Sequence, residues 1–245
     1  MISENKDVED QTVKTHLLAD TINIFVSPVD VFESVKVNPT ILYPFLTFTI
    51  SFVAAYTWYF SIVDFPWLID ALLARMSDSP QEELKQIREA YDMMGSTGMM
   101  LTTNVSTVVM ALLIFSVQAG YLGLISATFG DAIRFKQWFS LTIWTNIISL
   151  LSVVAIVVNI FMSENGQVSL YNINSLSLTG LGLESGGNTT LQSLFDSLSL
   201  PLFWSLGLLV AGYQHWTKSG YVKAGLIVLS PHILIYGIWA IIALS

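Results

Sequence analysis

Long apolar runs alternate with short polar segments along most of this chain. Five runs reach about 20 residues, the length that an α-helix needs to cross a hydrocarbon layer about 30 Å thick. They lie at about residues 41–63, 104–129, 138–161, 196–216 and 222–244. The pattern therefore predicts an all-α polytopic membrane protein, a transmembrane bundle of five helices within a domain of residues 41–244.

Two of these runs leave an alternative open. The second begins with polar residues, and Pro201 interrupts the fourth. An arrangement with four full spans and one re-entrant piece fits the same pattern. Between the first two spans, residues 80–94 place Leu84, Ile87 and Tyr91 at helical spacing and predict a surface helix.

The 40 residues before the first span divide into a tail and a short helix. Residues 1–20 are predicted to form an acidic flexible tail, and residues 21–40 an amphipathic interfacial segment. Ser27 is a favourable N-cap, Pro28 suits the first helical position, and Asp30 is placed to complete a capping box. We expect this helix to end about one turn before Asn38, which precedes a proline.

The apolar face of this short helix consists of Val29, Phe32 and Val35. A helix of this length is not stable alone in water, so the face needs an apolar surface to lie on. We expect it to lie flat on the membrane and steady the chain before the first span. The same three residues are a candidate docking surface for a partner.

Composition agrees with a membrane protein and excludes several other classes. Hydrophobic residues make up 53% of the chain and charged residues 11%, whereas about a quarter of the residues of a soluble domain are charged. The net charge of −8 comes largely from the tail and the first loop, so it argues against a polybasic lipid-binding tail but says little about nucleic acid, which we do not expect as a partner. No cysteine is present, so the chain has no thiolate metal site and no thiol nucleophile.

The basic residues of the connecting segments predict the orientation, because Lys and Arg resist translocation. Seven fall on the side of the N-terminus and three on the other side. The two groups are Lys6, Lys14, Lys36, Arg134, Lys136, Lys218 and Lys223, and Arg75, Lys85 and Arg88. The first 40 residues have no signal-peptide pattern either. We therefore expect a cytoplasmic N-terminus and a C-terminus on the outer side.

Tryptophan and tyrosine side chains cluster near the predicted span ends. We expect them to be interfacial anchors, because their rings favour the headgroup region. They are Trp58, Trp67, Trp138, Trp204, Trp216 and Trp239, with Tyr43, Tyr59, Tyr213 and Tyr221.

Candidate chemistry is limited to a few polar side chains inside the spans. His232 follows Pro231 in the last span, and together with Asn104, Gln118 and Asn146 it could line a polar cavity. The other interpretation is that these side chains make hydrogen bonds between or within helices, and we favour it. His16 and His215 are predicted outside the layer, so they do not join His232 in a metal site.

No sequence motif of an enzyme is present, and we expect neither catalytic residues nor a cofactor. Small residues instead recur at four-residue spacing in the second and fourth spans, which favours close helix packing. Two functional hypotheses follow. The first is a non-catalytic scaffold or adaptor that contacts membrane lipids and other membrane proteins or itself. The alternative is a small channel, transporter or lipid-moving protein with a cavity near His232.

The chain resembles the bacterial branch of the Ypt-interacting-protein (YIP) membrane family. The resemblance covers about residues 20–244 and rests on Phe25-Val-Ser-Pro28, Asn38-Pro39, and Lys223-Ala-Gly leading into a span that contains Pro231. It implies five spans, a cytoplasmic N-terminus and a bacterial inner-membrane location. Eukaryotic members bind Rab-type GTPases, but their tail motif Asp-Leu-Tyr-Gly-Pro is absent here. The resemblance therefore implies the membrane architecture and a non-catalytic role, and leaves GTPase binding doubtful.

Overall fold

The computed structural model describes residues 17–76, 79–163 and 165–245, and these residues are predominantly helical. The helices are α1 (Leu17–Val26), α2 (Pro28–Val37), α3 (Leu42–Ile62), α4 (Phe65–Ala74), α5 (Gln81–Thr128), α6 (Phe135–Asn146), α7 (Leu150–Met162), α8 (Thr189–Ser197), α9 (Leu200–Thr217) and α10 (Tyr221–Leu244). A 3₁₀ turn, Ile147–Ser149, joins α6 to α7. The predicted all-α fold class is confirmed.

Four helical segments of the described chain are long and apolar enough to cross a membrane. They are α3, α5, the continuous segment from α6 through α7, and α10. The prediction of a polytopic membrane protein is therefore confirmed. The helix α9 is 18 residues long and is not among the four, so the fourth predicted span, at about 196–216, stays a prediction.

The N-terminal segment holds one more helix than expected. Most of the predicted tail lies outside the described residues, but residues 17–20 belong to α1. The expected helix α2 does start at Pro28, and it continues to Val37, the residue before Asn38. The predicted capping box is wrong, because the Ser27 hydroxyl donates to the Asp30 carboxylate at 2.6 Å instead of accepting from the backbone.

The predicted surface helix and the second span form one kinked helix, α5. The kink lies at Gly95, whose backbone has φ 65° and ψ 173°. Residues that carry a Cβ atom rarely adopt this backbone conformation, so glycine is the residue that suits the position. The polar residues that follow Gly95 are helical rather than a loop.

The chain divides into two compact units. The first comprises residues 1–48, 113–148 and 204–230, and the second comprises residues 49–112, 149–203 and 231–245. The chain therefore passes five times from one unit to the other. Four of these passages fall inside α-helices and one inside the 3₁₀ turn, and each lies within one of the five predicted spans.

Stacked aromatic rings form the core of the first unit. The Trp138 ring lies 5.3 Å from that of Tyr213 and 5.2 Å from that of Trp216, and its Nε1 donates to Ser126 Oγ at 3.1 Å. These three rings are at most 4% exposed, so they are core residues and the prediction of interfacial anchors is wrong for them. Buried rings of this size dominate the energetics of a core.

The core of the second unit joins α3, α4 and α7 to the loop of residues 165–188. Leu68, Leu72, Ile156 and Ile173 are among its buried side chains. Tyr59 is also buried there, rather than interfacial, and its hydroxyl donates to the carbonyl of Val168 at 2.6 Å. The loop is thus fixed against the ends of the helices.

Candidate functional site

The polar side chains predicted to line a cavity are divided between the two units. Gln118 and Asn146 belong to the first unit, whereas Asn104, Pro231 and His232 belong to the second. Within its own unit, Asn146 Nδ2 donates to the carbonyl of Thr142, one turn earlier in its helix, at 2.8 Å. Gln118, Pro231 and His232 are half-buried.

Asn104 also makes a local hydrogen bond. Its Nδ2 donates to Thr57 Oγ1 in α3 at 2.9 Å. Both side chains lie in the second unit, so this bond joins α5 to α3 inside one compact body. The Asn104 amide therefore takes part in helix packing, which is the common use of polar groups within a membrane.

A tyrosine satisfies the carbonyl that Pro231 leaves free. Proline has no N–H to donate to the carbonyl four residues earlier, which is that of Ile227. The hydroxyl of Tyr121 in α5 donates to this carbonyl at 3.0 Å, and Ser230 Oγ also lies 3.0 Å from it. The sequence analysis does not predict a role for Tyr121. Its only signal is a hydroxyl within an apolar span, and its partner is 106 residues away.

The predicted docking surface on α2 is only partly accessible. Phe32 and Val35 are fully buried, whereas Val29 is 45% exposed. Val31, which lay outside the predicted face, is fully buried as well. The apolar face of α2 thus packs on the protein, and of the three predicted residues Val29 is the one that a partner can reach.

Hydrogen bonds hold α2 against α6 and α9 within the first unit. Trp216 Nε1 donates to the Phe32 carbonyl at 2.9 Å. Lys36 Nζ donates to the Trp216 carbonyl at 3.2 Å, at the C-terminal end of α9, where a cation is favoured. Gln137 Nε2 donates in turn to the Lys36 carbonyl at 2.6 Å. These three bonds fix which face of α2 is turned outward.

The outward face of α2 carries carboxylates between aliphatic side chains. Asp30 and Glu33 are exposed, and Val37 is 87% exposed near the end of the helix. Glu33 Oε1 lies 3.4 Å from His215 Nε2, while its own side chain remains 68% exposed. We call Val29, Asp30, Glu33 and Val37 the acidic face. It offers a partner negative charge together with apolar contact.

A second cluster lies in the loop region of the second unit. Arg75 donates to Asp196 Oδ2 at 2.5 Å, and its guanidinium lies 3.7 Å from the centre of the Tyr171 ring. Burial raises the pKa of Tyr171, while the charge of Arg75 acts in the opposite direction. A cavity of about 660 Å³ beside this cluster is lined by Arg75, Thr179, Glu184 and Gln192, among others.

Comparison with known families identifies the chain at the level of a domain. The sequence model of the Yip1 domain matches residues 22–243, which is most of the chain. This chain belongs to the Yip1 domain family. The resemblance noted from the sequence is therefore confirmed. No curated protein and no solved structure gives a significant match.

The Yip1 domain extends through both units. It begins inside α1 and ends one residue before the end of α10, so α2 and its acidic face belong to it. Members of this family are generally non-enzymatic membrane proteins that interact with membranes and proteins. Among the residues that the structure describes, no group of three or more His, Asp or Glu side chains is placed to hold a metal ion.

Proposed function

We propose that this protein is a non-catalytic integral membrane scaffold or adaptor of the Yip1 type. The observation that carries the proposal is that three polar groups inside the helices form hydrogen bonds with other groups of the protein. Asn104 bonds Thr57, Asn146 bonds its own helix, and Tyr121 occupies the carbonyl that Pro231 frees. A conduit needs such groups to face water, whereas a packed bundle needs them to bond one another.

The proposed topology has five crossings, with the N-terminus in the cytoplasm of a bacterial cell and the C-terminus outside its inner membrane. The helix α9 is then the fourth crossing in chain order, and α10 is the fifth. At 18 residues α9 extends for about 27 Å, close to the thickness of the hydrocarbon layer. The basic residues of the connecting segments also support the topology, with seven on the side of the N-terminus against three on the other.

The acidic face of α2 is the proposed docking surface for a partner protein. Phe32 and Val35 hold the helix in place, and Val29, Asp30, Glu33 and Val37 meet the partner. Charge complementarity calls for a partner with Lys or Arg beside an apolar patch. Other membrane proteins and a second copy of this chain are both in this class, and GTPase binding is not part of the proposal.

Site-specific cross-linking in native membranes tests this role. A photoreactive amino acid at Val37, which is 87% exposed, should form a discrete adduct whose mass distinguishes a second copy from another protein. The double substitution Asp30→Lys and Glu33→Lys should abolish the adduct, because it reverses the charge of the surface. The matched control is Glu82→Lys with Glu83→Lys, on exposed positions of α5, and should leave the adduct intact.

Two results would count against the adaptor role. One is the absence of any adduct at Val37, and the other is an adduct that survives charge reversal on α2. Elution of each variant as a single peak in detergent is the check on folding, because Glu33 also faces His215.

A further inference from the structure

An exposed apolar ridge runs along the first helix of the described chain. Leu18, Ile22 and Val26 follow one another at a spacing of four, which places them on one face of α1. They are 62%, 65% and 73% exposed. Monomeric proteins seldom leave such a row of large aliphatic side chains in water, so the ridge requires an occupant.

The opposite face of α1 is fixed to the first unit. Ile24 is fully buried, and Asp20 is only 6% exposed. The Asp20 carboxylate accepts a hydrogen bond from Ser34 Oγ in α2 at 3.2 Å. The hydroxyls of Thr21 and Tyr43 lie 3.1 Å apart and share a hydrogen bond. These contacts leave α1 no freedom to turn the ridge inward.

The surfaces beside the ridge belong to helices of the bundle. Tyr43 lies in α3, a helix long and apolar enough to cross the membrane, and its neighbour Leu42 is 70% exposed. Phe25 in α1 packs edge to face on Trp204 in α9, with ring centres 5.9 Å apart. Trp204 is itself 45% exposed. Thr21 and Phe25 of α1 therefore join this helix to α3 and α9, and the exposed apolar side chains of a membrane-spanning helix face lipid.

The charge of α1 favours lipid over a protein partner. Residues 17–26 contain one charged residue, Asp20, and its side chain is buried. Protein interfaces carry a polar rim around their apolar centre, and this ridge has no charged residue to supply one. Amphipathic helices that bind anionic membranes carry Lys or Arg, which are also absent from these positions.

We propose that the ridge of Leu18, Ile22 and Val26 is inserted among the acyl chains of one leaflet, beside α3 and α9. The membrane-contacting element before the first span is then α1, whereas α2 packs on the protein and turns its acidic face outward. The insertion depends on apolar contact and not on anionic headgroups. This inference goes beyond the scaffold role and does not rest on it.

Spin labelling tests the insertion directly, because the chain contains no cysteine. Ile22→Cys and Val26→Cys are each labelled with a nitroxide and reconstituted into vesicles of zwitterionic lipid. Collision rates are then measured with oxygen, which partitions into acyl chains, and with a water-soluble nickel chelate. Labels at both positions should collide frequently with oxygen and rarely with the nickel chelate. A label at the exposed Glu82 is the matched control and should show the opposite preference.

Three outcomes would overturn the proposal. Nickel collisions at residues 22 and 26 equal to those at residue 82 would place the ridge in water. An immobile label shielded from both reagents would mean that protein covers the ridge. Oxygen preference that arises only when anionic lipid is added would mean that headgroup charge drives the contact. The cross-linking at Val37 is read independently, so this inference and the adaptor role can fail separately.

Discussion

Replacing Tyr121 with phenylalanine tests whether the polar groups of the bundle serve packing. The hydroxyl donates to the carbonyl of Ile227 at 3.0 Å, and Pro231 is the residue that leaves this carbonyl without its helical partner. Hydrogen bonds within membrane proteins average about 0.6 kcal/mol and reach about 1.7 kcal/mol. Ser230 Oγ remains 3.0 Å from the same oxygen, so we expect a loss of about 0.6 kcal/mol.

A double-mutant cycle isolates this bond from other effects of the substitution. In Pro231→Ala the new backbone N–H can donate to the Ile227 carbonyl, because an α-helix pairs residues four apart. Tyr121→Phe should then cost roughly 0.2 kcal/mol or less, which leaves a coupling energy of about 0.4 kcal/mol. The free energy of unfolding of all four proteins is measured in mixed micelles. Tyr221→Phe, at a residue that is 66% exposed, is the control and should have almost no effect.

The reasoning fails if Tyr121→Phe has the same cost with and without Pro231. Equal costs would mean that the hydroxyl stabilises something other than the freed carbonyl. It also fails if the substitution costs nothing in the wild-type chain, since the proline would then need no compensation from α5.

Three further predictions concern other parts of the molecule. Gly95→Ala should destabilise the protein by about 1–3 kcal/mol, because alanine rarely adopts the backbone conformation of Gly95. Gly207→Ala should be neutral or stabilising, because Gly207 is helical and has open space around it. Denaturant unfolding measures both effects, and equal effects would refute the kink. Arg75→Ala should cost about 2 kcal/mol of unfolding free energy because it leaves the mostly buried Asp196 unpaired. Arg88→Ala should cost less, because its pair with Asp70 is exposed to water, and the reverse order would contradict the assignment. A cysteine at Glu184 should react with an impermeant maleimide on intact cells, and one at Lys136 only after lysis; the opposite pattern would invert the topology.

Hydropathy predicts the long apolar helices more accurately than the residues at which they begin. Four of the five predicted spans coincide with helices that are long and apolar enough to cross a membrane, because a crossing requires a sustained apolar run. The bounds of α5 could not be predicted in the same way. Gly95 and the polar residues after it indicate a loop by local propensity, yet packing makes the segment helical on both sides of a kink.

The candidate site shows a similar limit. The apolar face of α2 has the expected periodicity, but periodicity does not reveal that Trp216 and Gln137 bind this helix to the protein. The sequence analysis does not predict the helix α1, because Asp20 and Asn23 interrupt its apolar pattern. Asp20 is tolerated there through a bond to Ser34, a pairing that sequence order does not disclose.

The position of an aromatic residue along a span is easier to predict than the side of the helix that its ring faces. Trp138, Tyr213 and Trp216 lie near predicted span ends, as expected of anchors, but their rings point into the first unit. Tyr221 and Trp204, at comparable positions in sequence, are 66% and 45% exposed. Distance from the end of a span does not specify the side of the helix, so the sequence alone does not separate the two groups.

Flux through reconstituted vesicles is the most direct test of the scaffold account. The purified protein is incorporated into lipid vesicles that contain a fluorescent lipid and an entrapped small solute, and lipid scrambling and solute release are followed against protein-free vesicles. The account predicts the same rates with the wild-type protein, with His232→Ala and without protein. Protein-dependent scrambling or release that His232→Ala abolishes would contradict it and establish a conduit near Pro231 and His232.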